Sequence, residues 1–251
     1  MPDYGLVTVE DLPTTTPQLA PLYPPLPWEM PGARLVKLAY EVDLDFVRRV
    51  LPAGLARPTP PYGTLMVLDV PESPFGPFRL AAQTLAVRYR NFARAYVLQA
   101  VVDNPIALAA LREVWAYPAA PGSVELFDDK ADRSLRCVVS SPSGAELAVF
   151  DLTGIEGAEA ERIAIDGELT LRIPPRCTAG EAKEPVQLVQ VNRAYALQDP
   201  TRGRFTLKFS SAPGPYAWGE MSVTHPIIGV DTRAHLEYAP TEHILDYLPA
   251  R

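Results

Sequence analysis

The chain has 251 residues, 47% of them hydrophobic and 21% charged, and a net charge of −7. These proportions suit a folded domain and exclude disorder along the whole chain. An acidic balance with no basic cluster speaks against nucleic acid, whose phosphates demand concentrated Lys and Arg. No apolar run approaches the roughly 20 residues needed to cross a bilayer, and MPDYGLVTVEDLP carries acids where a secretion signal has a basic stretch. A soluble, cytoplasmic protein with neither membrane nor nucleic acid as partner is expected.

The 28 prolines outnumber the 15 glycines, which favours strands, turns and extended arms over long helices. Residues 1–32 read as a Pro-rich arm that is docked through Tyr23 and Trp28, and residues 33–251 as a single domain. ARLVKLAYEV has the texture of a strand, with Arg34, Val36 and Leu38 on one face and Lys37 on the other. Asp43 is placed to cap a short helix whose apolar side is Phe46, Val47, Val50 and Leu51, stopped by Pro52. GTLMVLDVP, FRLAAQTLAVRYRN and RAYVLQAVVDN are strand-like.

NPIALAALREVW is the strongest helix, with Asn104 as its cap, Pro105 in the first turn and a stripe of Ile106, Leu108, Ala109 and Leu111. Beyond it, SVELF, LRCVVSS, AELAVFDL, ELTLRI, VQLVQVNRAYAL, RFTLKFSS and EMSVTHPIIGVDTRAHLEYA are spaced as in a closed or sandwiched antiparallel sheet.

Cys137 and Cys177 are far apart without a CxxC, so both are expected to be buried thiols. His225, His235 and His243 show no metal-ligand spacing. There is no phosphate loop and no nucleophile elbow, so no cofactor and no metal are expected.

FGPFRLAAQ and VVDNPIALAALREVWAYPAAPGSVELF together resemble the acetoacetate decarboxylase family, which carries a G-x-Y-x-E segment and an R-E-x-x-G-x-P-K-K signature. Arg112, Glu113, Tyr117 and Pro118 stand in register with that signature. GARLVKLAYEVD looks like the family's first strand and HILDYL like its closing segment, so the resemblance runs from about Gly32 to Leu248. It implies a mainly β fold, a cone-shaped antiparallel β-barrel with a few short helices and an apolar pocket, and a homo-oligomer. It also implies chemistry that is missing here. The family's imine-forming lysine and the second lysine that lowers its pKa fall at Ala119 and Ala120, and the pocket glutamate falls at Leu80. The arginine that binds the substrate carboxylate matches Arg34.

On that resemblance Trp115, Tyr117 and Ala119 share the pocket face, with Leu80 shaping the apolar space and core packing as the alternative for the two aromatics. Tyr117 is suited to donate to a carbonyl oxygen. Arg34 orients the substrate or pairs with an internal acid. Glu113 and Arg112 brace the helix–strand junction, with Glu113 beside the substrate. Gln83 is a further amide to locate, although its parity with Leu80 sets it on the other face. Tyr216, Trp218 and His225 form a lid or rim, with His225 the histidine to test as a general base.

The expected activity is a cofactor-independent, Schiff-base-free reaction on an apolar carbonyl-bearing small molecule. Cyclisation, isomerisation or dehydration of a polyketide-like intermediate fits. One alternative is a non-catalytic barrel for a hydrophobic ligand. The other is a decarboxylase or aldolase with a relocated lysine. Of the candidates for that role, Lys37 is expected to face away from the pocket, Lys208 to be solvated, and Lys130 and Lys183 to lie in turns.

Overall fold

The computed structural model describes residues 8–13, 15–159, 167–174, 186–240 and 244–246. Asp43 caps the first helix by accepting from the Phe46 amide at 2.8 Å, and α1 runs Leu44–Val50. Asn104 does the same for α2, Pro105–Trp115, by accepting from the Ile106 and Ala107 amides. A side chain that satisfies orphan N–H groups is what makes Asp and Asn favourable there. The buried stripe of α2 differs from the expected one: it is Ala107, Ala110, Leu111 and Trp115. Two alanines let the helix approach the sheet closely, which leaves Ile106 and Leu108 partly covered at its margins.

Thirteen strands form one sheet: β1 (Trp28–Val42), β2 (Tyr62–Val70), β3 (Phe78–Tyr89), β4 (Phe92–Val102), β5 (Ala119–Pro121), β6 (Ser123–Asp129), β7 (Ser134–Ser140), β8 (Glu146–Gly157), β9 (Gly167–Arg172), β10 (Gln187–Val191), β11 (Arg193–Phe209), β12 (Val223–Tyr238) and β13 (Ile244–Asp246). Their order is β13-β10-β9-β4-β3-β2-β1-β12-β11-β8-β7-β6, with β5 attached to β4. The mainly β class is as expected. The closed, wholly antiparallel barrel is not: the sheet ends at β13 and β6 without joining them, and β4 pairs in parallel with both β5 and β9. β6 comes back against β3 and β4 through side chains, for example Arg79 donating to the Val124 carbonyl at 3.2 Å. Its exposed acids Glu125, Asp128 and Asp129 make it a poor edge for further pairing.

Because the sheet folds over itself, its central strands are covered on both sides. Val36, Leu38, Leu65, Val67 and Val101 meet Val124, Cys137, Val139 and Phe150 in one core. Leu35, Met66, Leu80, Ala82 and Ala100 meet α2, Tyr117, Ala119 and Leu236 in the other. This explains the nearly unbroken burial of β2 and β3. Cys137 is buried, and burial pushes its thiol up to about 12; Cys177 lies outside the described residues.

β1 begins five residues before the expected Ala33. The pairing with β12 runs from Trp28 and first breaks register between Met30 and Ala33, around Pro31, which cannot donate to a ladder, with further shifts between Ala39 and Tyr40 and between Glu41 and Val42. Tyr23 and Trp28, the expected anchors of the arm, are both buried, Trp28 as the first residue of β1. Trp28 is fully buried and packs edge-on to Tyr23 and Phe75, and the Tyr23 hydroxyl donates to Glu113 Oε2 at 2.6 Å. A hydrogen bond to a charged acceptor contributes about 1.5–3 kcal/mol. Tyr23→Phe is therefore expected to lower the melting temperature and to speed proteolytic cleavage within the arm; unchanged cleavage would show that the ring alone holds it. Among the described residues no helix is long and apolar enough to cross a membrane.

Candidate functional site

The end of α2 is shaped by Ala116, whose left-handed backbone (φ 51°) stops the helix and turns the chain into β5. Trp115, Tyr117, Ala119 and Leu80 thereby reach a single core, brought there by a helix terminus rather than an extended run; of these four residues expected on the pocket face, Tyr117 and Ala119 line the cleft described below, while Trp115 and Leu80 are packed in the core. Arg112 clasps this turn from one side, donating to the Ala119 carbonyl at 2.6 Å, and Arg172 from the other, donating to the Val114 carbonyl at 2.8 Å. Thr170 adds a hydrogen bond to the Trp115 carbonyl.

β4 passes its free edge from β9 (Arg94–Tyr96) to β5 (Ala100–Val102). Where the two part, over Leu98 and Gln99, lies a cleft of about 1120 Å³. It runs along Tyr117, Pro118, Ala119 and Ala120, and is also lined by Arg112, Glu113, Leu171 and Arg172. The positions that resemble the lysine pair therefore border this cleft.

Tyr117 separates that cleft from a buried polar cluster that sequence reasoning missed. Its hydroxyl donates to Glu168, 3.2 Å from either carboxylate oxygen. Glu168 Oε1 lies 2.6 Å from Arg193 Nη2, and both side chains are at most 5% exposed. Arg193 Nη1 donates to the Tyr238 hydroxyl at 2.6 Å, and the guanidinium lies over the Tyr195 and Tyr238 rings. Its Nε has no partner, nor has Trp115 Nε1. Burial, with Glu168 as the next contribution, pushes the Tyr117 hydroxyl well above the ordinary phenol range, so it is a neutral donor. Burial by itself would lower the Arg193 pKa, but Glu168 together with Tyr195, Tyr238 and Tyr117 outweighs it and the guanidinium remains charged. The visible signals were a charge alternating with apolar residues on one strand face, Glu168 with Thr170 and Arg193 with Tyr195; nothing local says that the two charges meet.

Lys37 corrects an expectation. It lies opposite Arg34, but that is the side of Leu35, Met66 and Glu168, and it lines a cavity of about 20 Å³ with Glu168 and Tyr195. Lys208 and Lys130 are exposed, as expected, and Lys183 lies outside the described residues.

Arg34 is not brought to Tyr117. It shares a face with Val36 and Leu38, while Tyr117 and Ala119 belong to the core on the other side. There it forms paired hydrogen bonds with Asp231 (2.8 and 2.7 Å) and with Asp128 (2.8 and 2.7 Å). Two acids answer its charge, and the hydrogen bonds to Asp231 above all raise its pKa against the opposing effect of burial. The Arg34 guanidinium in turn holds Asp128 below the usual carboxylate range. A depressed carboxylate contributes stability above its unfolded pKa of about 3.9 and loses it as the pH falls through the folded value. Asp128→Asn is expected to flatten the acid limb of the stability curve in urea titrations below about pH 4; an unchanged acid limb would leave the pair without energetic weight.

Glu113 lines the cleft and also accepts from Tyr23 and Thr15 of the arm. The expected aromatic rim is only partly present: Gly214, Pro215 and Ala217 border the cleft, whereas Tyr216 and Trp218 turn into the opposite core. Tyr216 donates to the Pro121 carbonyl at 2.7 Å. Gln83 is buried on the face opposite Leu80, where it accepts from Gln99 and donates to the Trp218 carbonyl. His225 is exposed on β12 opposite Glu41, away from the cleft, and His235 is half-buried; His243 lies outside the described residues. Among the described residues no three His, Cys, Asp or Glu side chains converge to hold a metal ion.

Residues 11–248 match the family model described as acetoacetate decarboxylase (ADC). Acetoacetate decarboxylase of Clostridium botulinum is 29% identical over 116 residues, 46% of this chain and 47% of that protein. The chain thus spans about half the length of the curated relatives it matches. Among solved structures, acetoacetate decarboxylase of Legionella pneumophila is similar with a TM-score of 0.84 at 18% identity, over 99% of this chain and 100% of that one. The enduracididine biosynthesis enzyme MppR, complexed with the condensation product of pyruvate and imidazole 4-carboxaldehyde, gives 0.78 at 14%, over 95% and 98%. With the match covering nearly its whole length and the sheet superposing on these structures, the chain belongs to the acetoacetate decarboxylase family.

Proposed function

We propose that this protein is an enzyme of the acetoacetate-decarboxylase-like superfamily that works without a cofactor and without an imine at the signature positions. Its substrate is an apolar carbonyl-bearing small molecule held in the cleft, and the reaction is a cyclisation, isomerisation or dehydration. One observation carries this reading. Where the family resemblance puts two lysines stand Ala119 and Ala120, and beside them Tyr117 lines the cleft and directs a neutral hydroxyl to Glu168. Alanine has no nitrogen to attack a ketone. A phenol can polarise one: a carbonyl oxygen entering the cleft competes with Glu168 for the Tyr117 proton, and the developing oxyanion takes the hydrogen bond. Positioning in a partly apolar cleft supplies the rest of the acceleration. Arg34 and His225 have no part in this reading, since the one is taken up by two acids and the other lies on the surface.

The test is a turnover screen against ketones and polyketide-like carbonyl compounds with the wild type and Tyr117→Phe. Full rate in the variant would defeat the assignment of Tyr117. Tight binding of an unaltered compound with no product would replace the enzyme by a ligand-binding barrel.

A second reading, a decarboxylase or aldolase with a relocated lysine, is favoured by the position of Lys37 beside Glu168 and Tyr195. Borohydride reduction in the presence of keto acids leaves the intact mass unchanged under the first reading and yields an adduct on Lys37 under the second.

A further inference from the structure

β4 carries a bulge where the cleft opens. Gln83 of β3 pairs with Gln99 and Thr84 with Val97, so Leu98 is the extra residue. Leu98 and Gln99 lie where the free edge of β4 passes from β9 to β5. A bulge breaks the alternation of faces and re-aims a side chain, which is why bulges recur beside active sites. Val97 and Ala100 on either side are buried in the core of Tyr117, whereas Leu98 and Gln99 line the cleft.

The Gln99 amide is held in one sense. Its Nε2 donates to Gln83 Oε1 at 2.7 Å, and Gln83, fully buried, donates from Nε2 to the Trp218 carbonyl at 3.4 Å. Polarity runs one way along this chain. The Trp218 carbonyl can only accept, so the Gln83 nitrogen faces it and the Gln83 oxygen faces Gln99. The Gln99 nitrogen is thereby engaged, and the half of the amide left over is an acceptor oxygen. Among the described residues the buried side-chain polar atoms without a partner are Arg94 Nε, Trp115 Nε1, Arg193 Nε and Trp218 Nε1; the Gln99 oxygen is not of that set, as expected of an atom at the wall of a cleft. Two amides in series beside an apolar core are the kind of local exception that collects at functional sites.

We propose that Gln99 is a specificity-determining residue of the cleft, whose amide oxygen accepts from a hydroxyl of the ligand, and that the ligand is a hydroxy-carbonyl compound with an apolar body. Gln83, which does not border the cleft, is the positioning residue that fixes the polarity of the Gln99 amide. An acceptor of this kind selects for a donor: a ligand with hydrogen in place of the hydroxyl leaves the oxygen desolvated and unpaired. The apolar body meets Leu98, Leu108 and Leu171. This rests on reading the cleft as the substrate site. It narrows the substrate class from carbonyl compounds to hydroxy-carbonyl compounds, which are what a dehydration or a cyclisation through oxygen consumes.

The experiment compares the dissociation constants of 4-hydroxy-4-(2-naphthyl)butan-2-one and 4-(2-naphthyl)butan-2-one by NMR titration on the full chain. The two share the apolar body and the ketone and differ by one hydroxyl. The wild type is expected to bind the hydroxy ketone about three- to tenfold more tightly. Gln99→Met, which keeps the length of the side chain, abolishes the preference and leaves the affinity for the deoxy ketone little changed. Gln83→Met reduces the preference, because the released Gln99 amide is free to turn its nitrogen to the cleft. A merely structural role of either glutamine would move both affinities alike. Melting curves show that each variant is folded before it is titrated. Equal affinity for the two ketones in the wild type, or a preference that survives in folded Gln99→Met, would overturn the role of Gln99, and a preference untouched in folded Gln83→Met that of Gln83. Binding of neither ketone would remove both together with the cleft as the substrate site. Preference for the hydroxy ketone without any turnover would sustain the inference while removing the catalytic reading of Tyr117.

Discussion

Glu168→Leu alone is expected to lower the unfolding free energy by about 3–5 kcal/mol, and Glu168→Leu combined with Arg193→Leu to restore much of that loss. The asymmetry follows from where the pair sits. Arg193 and Glu168 are almost wholly buried, 2.6 Å apart. Removing the carboxylate leaves a guanidinium with no counter-charge among Met66, Tyr195 and Tyr238. Taking a charge out of water is costly unless it is paired, so the single variant carries an uncompensated desolvation that the double variant does not. The recovery stays incomplete, because the Tyr117 and Tyr238 hydroxyls lose their partners in the double variant. Urea unfolding of the wild type, both single variants and the double variant closes the cycle. A double variant as unstable as the sum of the singles would mean that the two charges are not coupled.

The largest expected effect on activity is that of Tyr117→Phe, a fall in kcat of about 10²- to 10⁴-fold with little change in KM. The ring is packed, with 1% of the residue exposed, and phenylalanine preserves that packing, so the loss reports the hydroxyl and not a collapsed core. The hydroxyl is 3.2 Å from Glu168, a long and therefore exchangeable contact. A transition state that gathers charge on the carbonyl oxygen draws the proton more strongly than the ground state does, which places the effect in kcat. A variant that raises KM at unchanged kcat would instead make Tyr117 a wall of the binding site. The melting temperature of Tyr117→Phe checks that the fold is kept.

Much of the scaffold was legible in local pattern. Asp43 and Asn104 announced the two helices because a cap is a short-range bargain between a side chain and the next amides. The register of Arg112, Glu113, Tyr117 and Pro118 with a family signature placed Ala119 and Ala120 at the wall of the cleft. The parity of β1 was also right, with Lys37 opposite Arg34. What failed was the choice of which face is the interesting one. Both faces of β1 are buried, and alternation separates them without ranking them. Arg34 was given a substrate or an internal acid, and it is the second that holds, with Asp231 and Asp128 as its partners. One of them lies 197 positions along the chain.

By itself the sequence determined the mainly β class and the two capped helices, and it pointed to Tyr23 and Trp28 as buried anchors and to alanines where the resemblance puts two lysines. These depend on residue type and near neighbours, which a linear reading contains. Only the tertiary structure decided that the sheet stays open, that Lys37 faces Glu168, and that Tyr117 meets a carboxylate 51 positions away which Arg193 neutralises. Such pairings depend on which strands become neighbours, and β9 reaches β4 by a parallel crossing that no local pattern encodes. A charge on a strand reads the same whether it will face water or its opposite across a core; burial makes the difference, and burial belongs to the whole fold.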